Sequence, residues 1–330
     1  MDLNLTELRS RYLQSGEDKW LPIVDAHLHF WDPQQNYHPW LCDEPPITFR
    51  YGDYRPIRKP FLPADYRALQ GEHRVIGTVY MEAEWDPTDA PGEADWVHGL
   101  AQRTGWPNAM IGQAWLDRAD VAQQLEALAQ FPRLRGVRHK PAALAREDYD
   151  PAHCLSGSMR CPNWQRGYAA LAQQGLICEL QTHWWHLPDL LPLLERYPEV
   201  PVVINHTGVP GQRDEATLQG WHQAMARLAA YPQVSVKISG LGMQGRRWRL
   251  DDNQRVIQEV IALFGPQRCL FASNFPVDSL VTDLAPLWGA FKQLTTEFSR
   301  TERLAMFCDN AIRIYQLDCA ELGETTEMAC

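Results

Sequence analysis

No uninterrupted apolar run in this 330-residue chain approaches the roughly 18 residues that a membrane-spanning helix needs, so no transmembrane helix is expected. The opening residues, Met1-Asp2-Leu3-Asn4, carry neither the basic stretch nor the apolar core of a secretion signal. Basic residues are in deficit: 31 Lys and Arg stand against 41 Asp and Glu, a formal charge of -10. That balance argues against a broad nucleic-acid surface, while leaving room for a local basic pocket that takes an anionic substrate. The eight cysteines form no Cys-x-x-Cys pair and no spaced zinc-knuckle set. Cys178 and Cys269 lie in apolar, strand-like runs, as buried free thiols do. A reduced, cytoplasmic protein is the expectation. No Gly-x-Gly-x-x-Gly follows the first strand-like run, which weighs against a nucleotide-binding doubly wound sheet. Nothing reads as an internal linker, so residues 1–330 are expected to form one domain.

What is present begins with Ile23-Val24-Asp25-Ala26-His27-Leu28-His29-Phe30, a short strand ending in His-x-His. Alternation along a strand would put Asp25, His27 and His29 on one face and Val24, Ala26, Leu28 and Phe30 on the other. Two imidazoles two residues apart can converge on one cation or on one polarised oxygen. Residues 31–63 follow, rich in proline, aromatics (Tyr37, Tyr51, Tyr54) and bases (Arg50, Arg55, Arg58, Lys59). An aromatic segment of that length within a compact domain reads as a lid, here over the His27/His29 end.

From there strand-like runs recur at 75–83, 110–116, 134–140, 176–183, 201–207, 234–241 and 269–275. Helical patterns lie between them, at Ala119–Phe131, Leu187–Tyr197, Glu215–Tyr231, Asp251–Phe264 and Asp283–Phe298. Eight strands alternating with helices imply a parallel sheet closed as a (β/α)8 TIM barrel, with an open doubly wound sheet as runner-up. Barrel enzymes build their sites at the C-terminal ends of the strands. Here those ends carry His27 and His29, Glu82, Arg138 and Lys140, Gln181 and His183, Asn205 and His206, Lys237 and Ser239, then Asn274 and Asp278. Any one of these could be structural, but an inert barrel would need no such ring.

Five segments carry a resemblance: Asp-Ala-His-Leu-His-Phe-Trp-Asp-Pro, Gly-Val-Arg-His, Val-Ile-Asn-His-Thr-Gly-Val-Pro, Val-Lys-Ile-Ser-Gly-Leu and Phe-Ala-Ser-Asn-Phe-Pro-Val-Asp. In this order they resemble the amidohydrolase superfamily. More narrowly they resemble the amidohydrolase 2 group, which includes sugar lactonases and 2-pyrone-4,6-dicarboxylate lactonase. The likeness runs from about residue 22 to about 317. It implies a distorted (β/α)8 barrel of the metallo-dependent hydrolase type. It also implies His27, His29 and His206 as ligands of one divalent metal ion, Zn²⁺ foremost, with His183 as a less certain fourth. Metal-independent catalysis stays open, since some lactonases of this group work without one. Arg138 matches an arginine that holds the substrate's carboxylate or lactone oxygen. Where the superfamily normally has a water-activating aspartate this chain has Asn274, a neutral amide that cannot accept the proton. Asp278, four residues on, is the nearest substitute. A carbamylated lysine at Lys140 is not expected.

The expected activity is hydrolysis of a small polar or acidic lactone. Asp278 would serve as base, Asn274 would orient the water, His27, His29 and His206 would hold a metal or polarise the carbonyl directly, and Arg138 would hold the anion. Gln181, His183, Tyr51 and Arg58 join Arg138 as candidate substrate-binding residues. The expected partner is a small molecule, with neither nucleic acid nor membrane involved and a homo-oligomer left open. The alternatives are a decarboxylase of the same superfamily, separable by substrate profiling, and a non-catalytic sugar-acid binding protein, which any lactone turnover would exclude.

Overall fold

A computed structural model describes residues 3–323. Eight strands form one sheet in chain order, with every neighbouring pair parallel. They are β1 (Pro22–Leu28), β2 (Arg74–Met81), β3 (Ala109–Gln113), β4 (Leu134–His139), β5 (Ile177–Leu180), β6 (Val202–Ile204), β7 (Val234–Ile238) and β8 (Cys269–Phe271). Helices cover the outside, among them Ala90–Thr104, Pro162–Gln174, Glu215–Ala229, Leu250–Phe264 and Leu284–Leu294. Leu250–Phe264 shows why such a segment is helical. Val256, Ile257, Val260, Ile261 and Phe264 are buried, a stripe at helical spacing, and the helix stops at Gly265, whose φ is +75°. Among the described residues no helix is long and apolar enough to cross a membrane.

The strands divide their side chains between two apolar layers. Cys178, Leu180, Val202, Ile204, Val234, Val236 and Ile238 pack outward among the helices. Val24, Ala26, Ile111, Ile177, Val203 and Leu270 pack together with Tyr315 and Leu317 from the end of the chain, and these fill the lower barrel. Above that plug the interior turns polar. Lys237 and Glu179, both fully buried, form an ion pair at 2.9 Å. Tyr315 and Asn205 donate to the two oxygens of Glu179. A charge this deep needs such company, because removing one partner would strand the other in a low-dielectric interior.

The first strand departs from simple alternation. Asp25 pairs with Thr78 but Leu28 pairs with Tyr80, so β1 spends one extra residue where β2 spends none. This bulge corrects the expectation that Asp25 shares a face with the two histidines. Asp25 turns toward the helices, where the Tyr66 hydroxyl donates to it at 2.8 Å, while His27 lies against His206. The same carboxylate accepts from the backbone N–H of Ser273 at 2.9 Å and of His27 at 3.2 Å. Just above, Asn274 N–H donates to His27 O and His29 N–H to Phe275 O, each at 2.8 Å. The seam between β8 and β1 is closed by these bonds.

Several strands end earlier than their apolar runs suggest; β6 stops at Ile204 and β8 at Phe271. The residues beyond leave the ladder because they carry the polar side chains of the mouth. Residues 31–63 form a loop pinned at its base by reciprocal backbone bonds between Trp31 and Phe61, and its middle folds over the mouth.

Because Asp25 satisfies three buried donors, Asp25→Ala should lower stability by on the order of 3 kcal/mol, whereas Tyr66→Phe, which removes one donor, should cost about 1 kcal/mol. Urea unfolding checks both. A wild-type midpoint for Asp25→Ala would show that the seam is held some other way.

Candidate active site

The mouth is organised by three buried histidines. His27 and His29 arrive from the end of β1 with ring centroids 5.2 Å apart, and His206 from just past β6 lies 4.6 Å from His27. Met81 O lies 2.8 Å from His29 Nδ1, so Nδ1 carries the proton and Nε2 keeps its lone pair. The Ser239 hydroxyl holds His206 Nδ1 at 2.9 Å. His27 has no hydrogen-bond partner at either ring nitrogen. Burial, followed by the Arg138 charge, pushes His29 down to about 3. Burial with Lys237 lowers His27, and burial with Arg50 lowers His206, both well below the ordinary range. All three imidazoles are neutral at pH 7.

The backbone under His206 is strained. His206, Thr207, Gly208 and Val209 have φ of 52°, 53°, 71° and 49°. A left-handed conformation costs an L-residue roughly 1–2 kcal/mol, and here only one of four is glycine. Trp221 Nε1 donates to Thr207 O at 2.6 Å and helps hold the turn. Gly240 allows it: a Cβ there would sit 2.4 Å from His206 Nδ1 and 2.8 Å from the Arg50 guanidinium.

Strand β8 leads to Asn274, also left-handed at φ 56°. Its Nδ2 donates to Asp278 Oδ1 at 2.6 Å, and the Tyr51 hydroxyl donates to the same oxygen at 3.0 Å. Arg50 approaches that oxygen to 3.9 Å. Burial raises Asp278 to about 6, with Arg50 as the leading opposing influence. On the other side, Arg138 grips the Glu82 carboxylate, donates to Glu82 O at 2.6 Å and donates to Gln181 at 3.0 Å. Burial pushes Glu82 upward, yet Arg138 keeps it below its usual value.

A cavity of about 200 Å³ lies at the centre, lined by His29, Arg50, Arg138, Gln181, His206 and Asn274 with aromatics from the loop. Two wider clefts flank it. One of about 530 Å³ runs past Trp40, Trp85, Trp115 and His139. The other, about 860 Å³, runs between the ends of β4 to β7 past His183. An ion pair between Lys140 and Glu84 stands at the margin of the central cavity.

The structure thus brings together His27, His29, His206, Arg138, Gln181 and Asn274. Asp278 sits behind Asn274. Three expectations need correction. His183 as a fourth metal ligand is one: it is exposed, stacked on Trp185 at 4.4 Å, and lines the larger side cleft, not the cavity of His29 and His206. Its local strand ends at Leu180, so the alternation that aimed it inward no longer holds. Arg58 spends its guanidinium on Leu41 O, Asp43 O and Glu44 within the loop. Tyr51 is buried against Asp278 and Gly242 N–H and lines none of these spaces, which makes it a holder of Asp278. In the sequence Arg50 is one base among several in the loop. Nothing in its spacing marked it; only the folded loop puts it beside His206.

The three imidazoles supply the nitrogen donors that Zn²⁺ takes, and His27 has both nitrogens to offer. The surroundings do not suit a dication. Among the described residues no three His, Cys, Asp or Glu side chains are grouped to hold a metal ion. Strand eight supplies an amide, and Arg50, Arg138 and Lys237 put positive charge on all three rings. As arranged, these residues do not fit a metal, and no step below runs through one.

A closed barrel with its polar groups at the C-terminal mouth defines a class of barrel enzymes. The sequence places this chain within it: residues 24–317 match the amidohydrolase family, and the chain belongs to that family. It is 37% identical over 304 residues to the uncharacterized protein y4mH of Sinorhizobium fredii, covering 90% of this chain and 99% of that one. It is 29% identical over 303 residues to an L-fucono-1,5-lactonase of Burkholderia ambifaria, covering 89% and 96%. Among solved structures, an amidohydrolase of Burkholderia multivorans with bound HEPES matches with a TM-score of 0.73 at 24% identity, over 90% of this chain and 99% of that one; another of its structures holds zinc.

Arg50 bridges the loop to the mouth, so Arg50→Met should lower kcat/KM by about tenfold or more, the scale of a lost charge-assisted contact, with little change in melting temperature because the side chain is half-exposed. Steady-state kinetics beside a thermal melt test this. Unchanged kcat/KM would make the loop a cover without a role in binding.

Proposed function

We propose that the protein is a lactonase that opens a small sugar-acid or otherwise carboxylated lactone. The observation that carries this reading is the set of neutral imidazoles with Arg50 and Arg138 around one small cavity. Such a site accepts hydrogen bonds from a water and offers positive charge to an oxyanion. The lactonase named above, at 29% identity, supports the same direction.

The chemistry needs an attacking water, a stabilised oxyanion and a proton acceptor. His29 Nε2 can accept from the water, since its Nδ1–H is committed to Met81 O. The Asn274 amide donates its Nδ2 to Asp278 and so fixes the carboxylate that receives the water's other proton. Arg50, which lines the cavity, donates to the lactone carbonyl oxygen. Attack forms the new C–O bond and moves charge to that oxygen. Asp278 takes the water's proton through Oδ2, because Asn274, Tyr51 and Arg50 all address Oδ1. Collapse of the tetrahedral intermediate breaks the ring C–O bond, and the ring oxygen takes the proton to leave a hydroxy acid. The free cysteines fit a reduced, cytoplasmic setting.

Asp278→Asn should lower lactone turnover by about 10²–10⁴, the usual scale for a lost general base, while melting close to wild type. The wild-type kcat/KM should rise through about pH 6 and level off above, because the base works only when ionised. The stability effect has the opposite sign. A buried acid whose pKa is raised holds its proton in the fold longer than in the unfolded chain, so stability declines as pH rises from its ordinary value of 3.8 through about 6. Near-normal turnover in the variant, with no acid limb near pH 6, would move the base to a histidine.

Dialysis against a chelator should leave turnover within about twofold of the untreated enzyme, because every step above is carried by the chain's own side chains. A loss restored by Zn²⁺ would show that the imidazoles rearrange to hold a metal.

A further inference from the structure

The larger side cleft carries a charge that the reaction described above does not use. The chain as a whole is acid-rich, yet Arg50, Lys140, Arg213 and Arg246 all border this one space. Lys140 is paired with Glu84. Arg213 has no ion pair among the described residues. Its guanidinium is spread over the neutral oxygens of Gly211, Gln212, Leu241 and Asn253, at 3.0 to 3.4 Å, and its Nε is buried without a partner, so it lends the cleft positive charge rather than a free N–H. The adjacent carboxylate, Asp214, accepts from Thr217 N–H as the cap of the helix Glu215–Ala229. Arg246 is exposed, and its side chain has no hydrogen-bond partner among the described residues. Partly buried positive charge with no carboxylate in ion-pair range is costly to maintain, and an anionic ligand lowers that cost.

The remaining lining suggests what bears the anion. Gln181, Gln212 and Gln244 present amides, which both donate and accept, as a row of sugar hydroxyls requires. The cleft also shares Arg50, Lys140 and Gln181 with the central cavity, so one molecule can occupy both.

We propose that this cleft, between the ends of β5, β6 and β7, is a second subsite that binds an anionic group at the far end of a polyhydroxylated substrate, with Arg213 and Arg246 as its cations. The claim rests on the lactonase reading for the identity of the near end. It adds that the natural substrate carries a terminal carboxylate or phosphate several atoms from the lactone carbonyl.

Isothermal titration of the full-length protein with three open-chain acids separates the cases. Gluconate has a neutral end, glucarate a second carboxylate and 6-phosphogluconate a phosphate. One of the two acids with an anionic far end should bind about tenfold tighter than gluconate at low salt, and which one does so identifies the terminal group. The preference should shrink as salt is raised from about 50 to about 500 mM, because the contact is partly exposed. Arg246→Gln, an exposed substitution with no folding burden, should cut the preference severalfold. Arg213→Gln combined with it should abolish the preference, and circular dichroism confirms that this variant is folded. Equal affinity for all three acids in wild type overturns the subsite, as does a preference that survives in the folded double variant. If Arg213→Gln unfolds the chain, the Arg246→Gln and salt results decide by themselves. Because binding is read without turnover, the two claims fail separately. A protein that prefers the acids with an anionic far end but opens no lactone keeps the subsite and loses the lactonase reading. One that opens neutral lactones with no preference does the reverse.

Discussion

One carboxylate fixes the geometry of the mouth. Asp25 lies where β1 meets β8, fully buried, and it holds the backbone N–H groups of Ser273 and His27 together with the Tyr66 hydroxyl. Burial alone raises its proton affinity, and these donors offset that cost. The bulge that aims Asp25 outward is also what aims His27 inward. Ser273 in turn precedes Asn274, whose N–H is tied to His27 O. The relative positions of two histidines and the strand-eight amide therefore follow from one anchored side chain. A barrel closed by an ordinary ladder at this seam would leave them free to slip by a residue.

Polarity is graded along the barrel axis. Aliphatic side chains fill the bottom, a balanced Lys237–Glu179 pair sits in the middle, and neutral imidazoles face arginines at the top. The cations do two things at once. They add to the burial that holds the histidines neutral, which leaves lone pairs for water, and each is drawn to a carboxylate. An anionic substrate would meet these cations in a chain whose overall charge would otherwise repel it.

Much of this arrangement could be read from the residues. The alternation of apolar runs was enough for eight parallel strands, and His27, His29, Arg138, His206 and Asn274 stood out as polar groups at strand ends. Period-two reasoning failed where backbone irregularity intervened. It put Asp25 on the wrong face because a bulge is invisible in composition. It brought His183 inward because nothing in Gln181-Thr182-His183 announces that the strand has already ended. The loop was legible as a lid, but which of its bases enters the mouth depends on long-range folding. Arg50 and Arg58 are alike in sequence; one reaches His206 and the other caps carbonyls of its own loop.

The left-handed turn at His206–Val209 bears on how such a protein can be improved. Local backbone preference favours glycine at 207 and 209, and an optimiser guided by thermal stability would place it there. The stiffness of Thr207 and of branched Val209 is what keeps the imidazole of His206 from wandering. Glycines would relax the native turn while widening the range of ring orientations, so the same exchange that gains robustness would blunt the catalyst. In a directed-evolution campaign these four residues form a zone where selection for melting temperature and selection for rate pull in opposite directions.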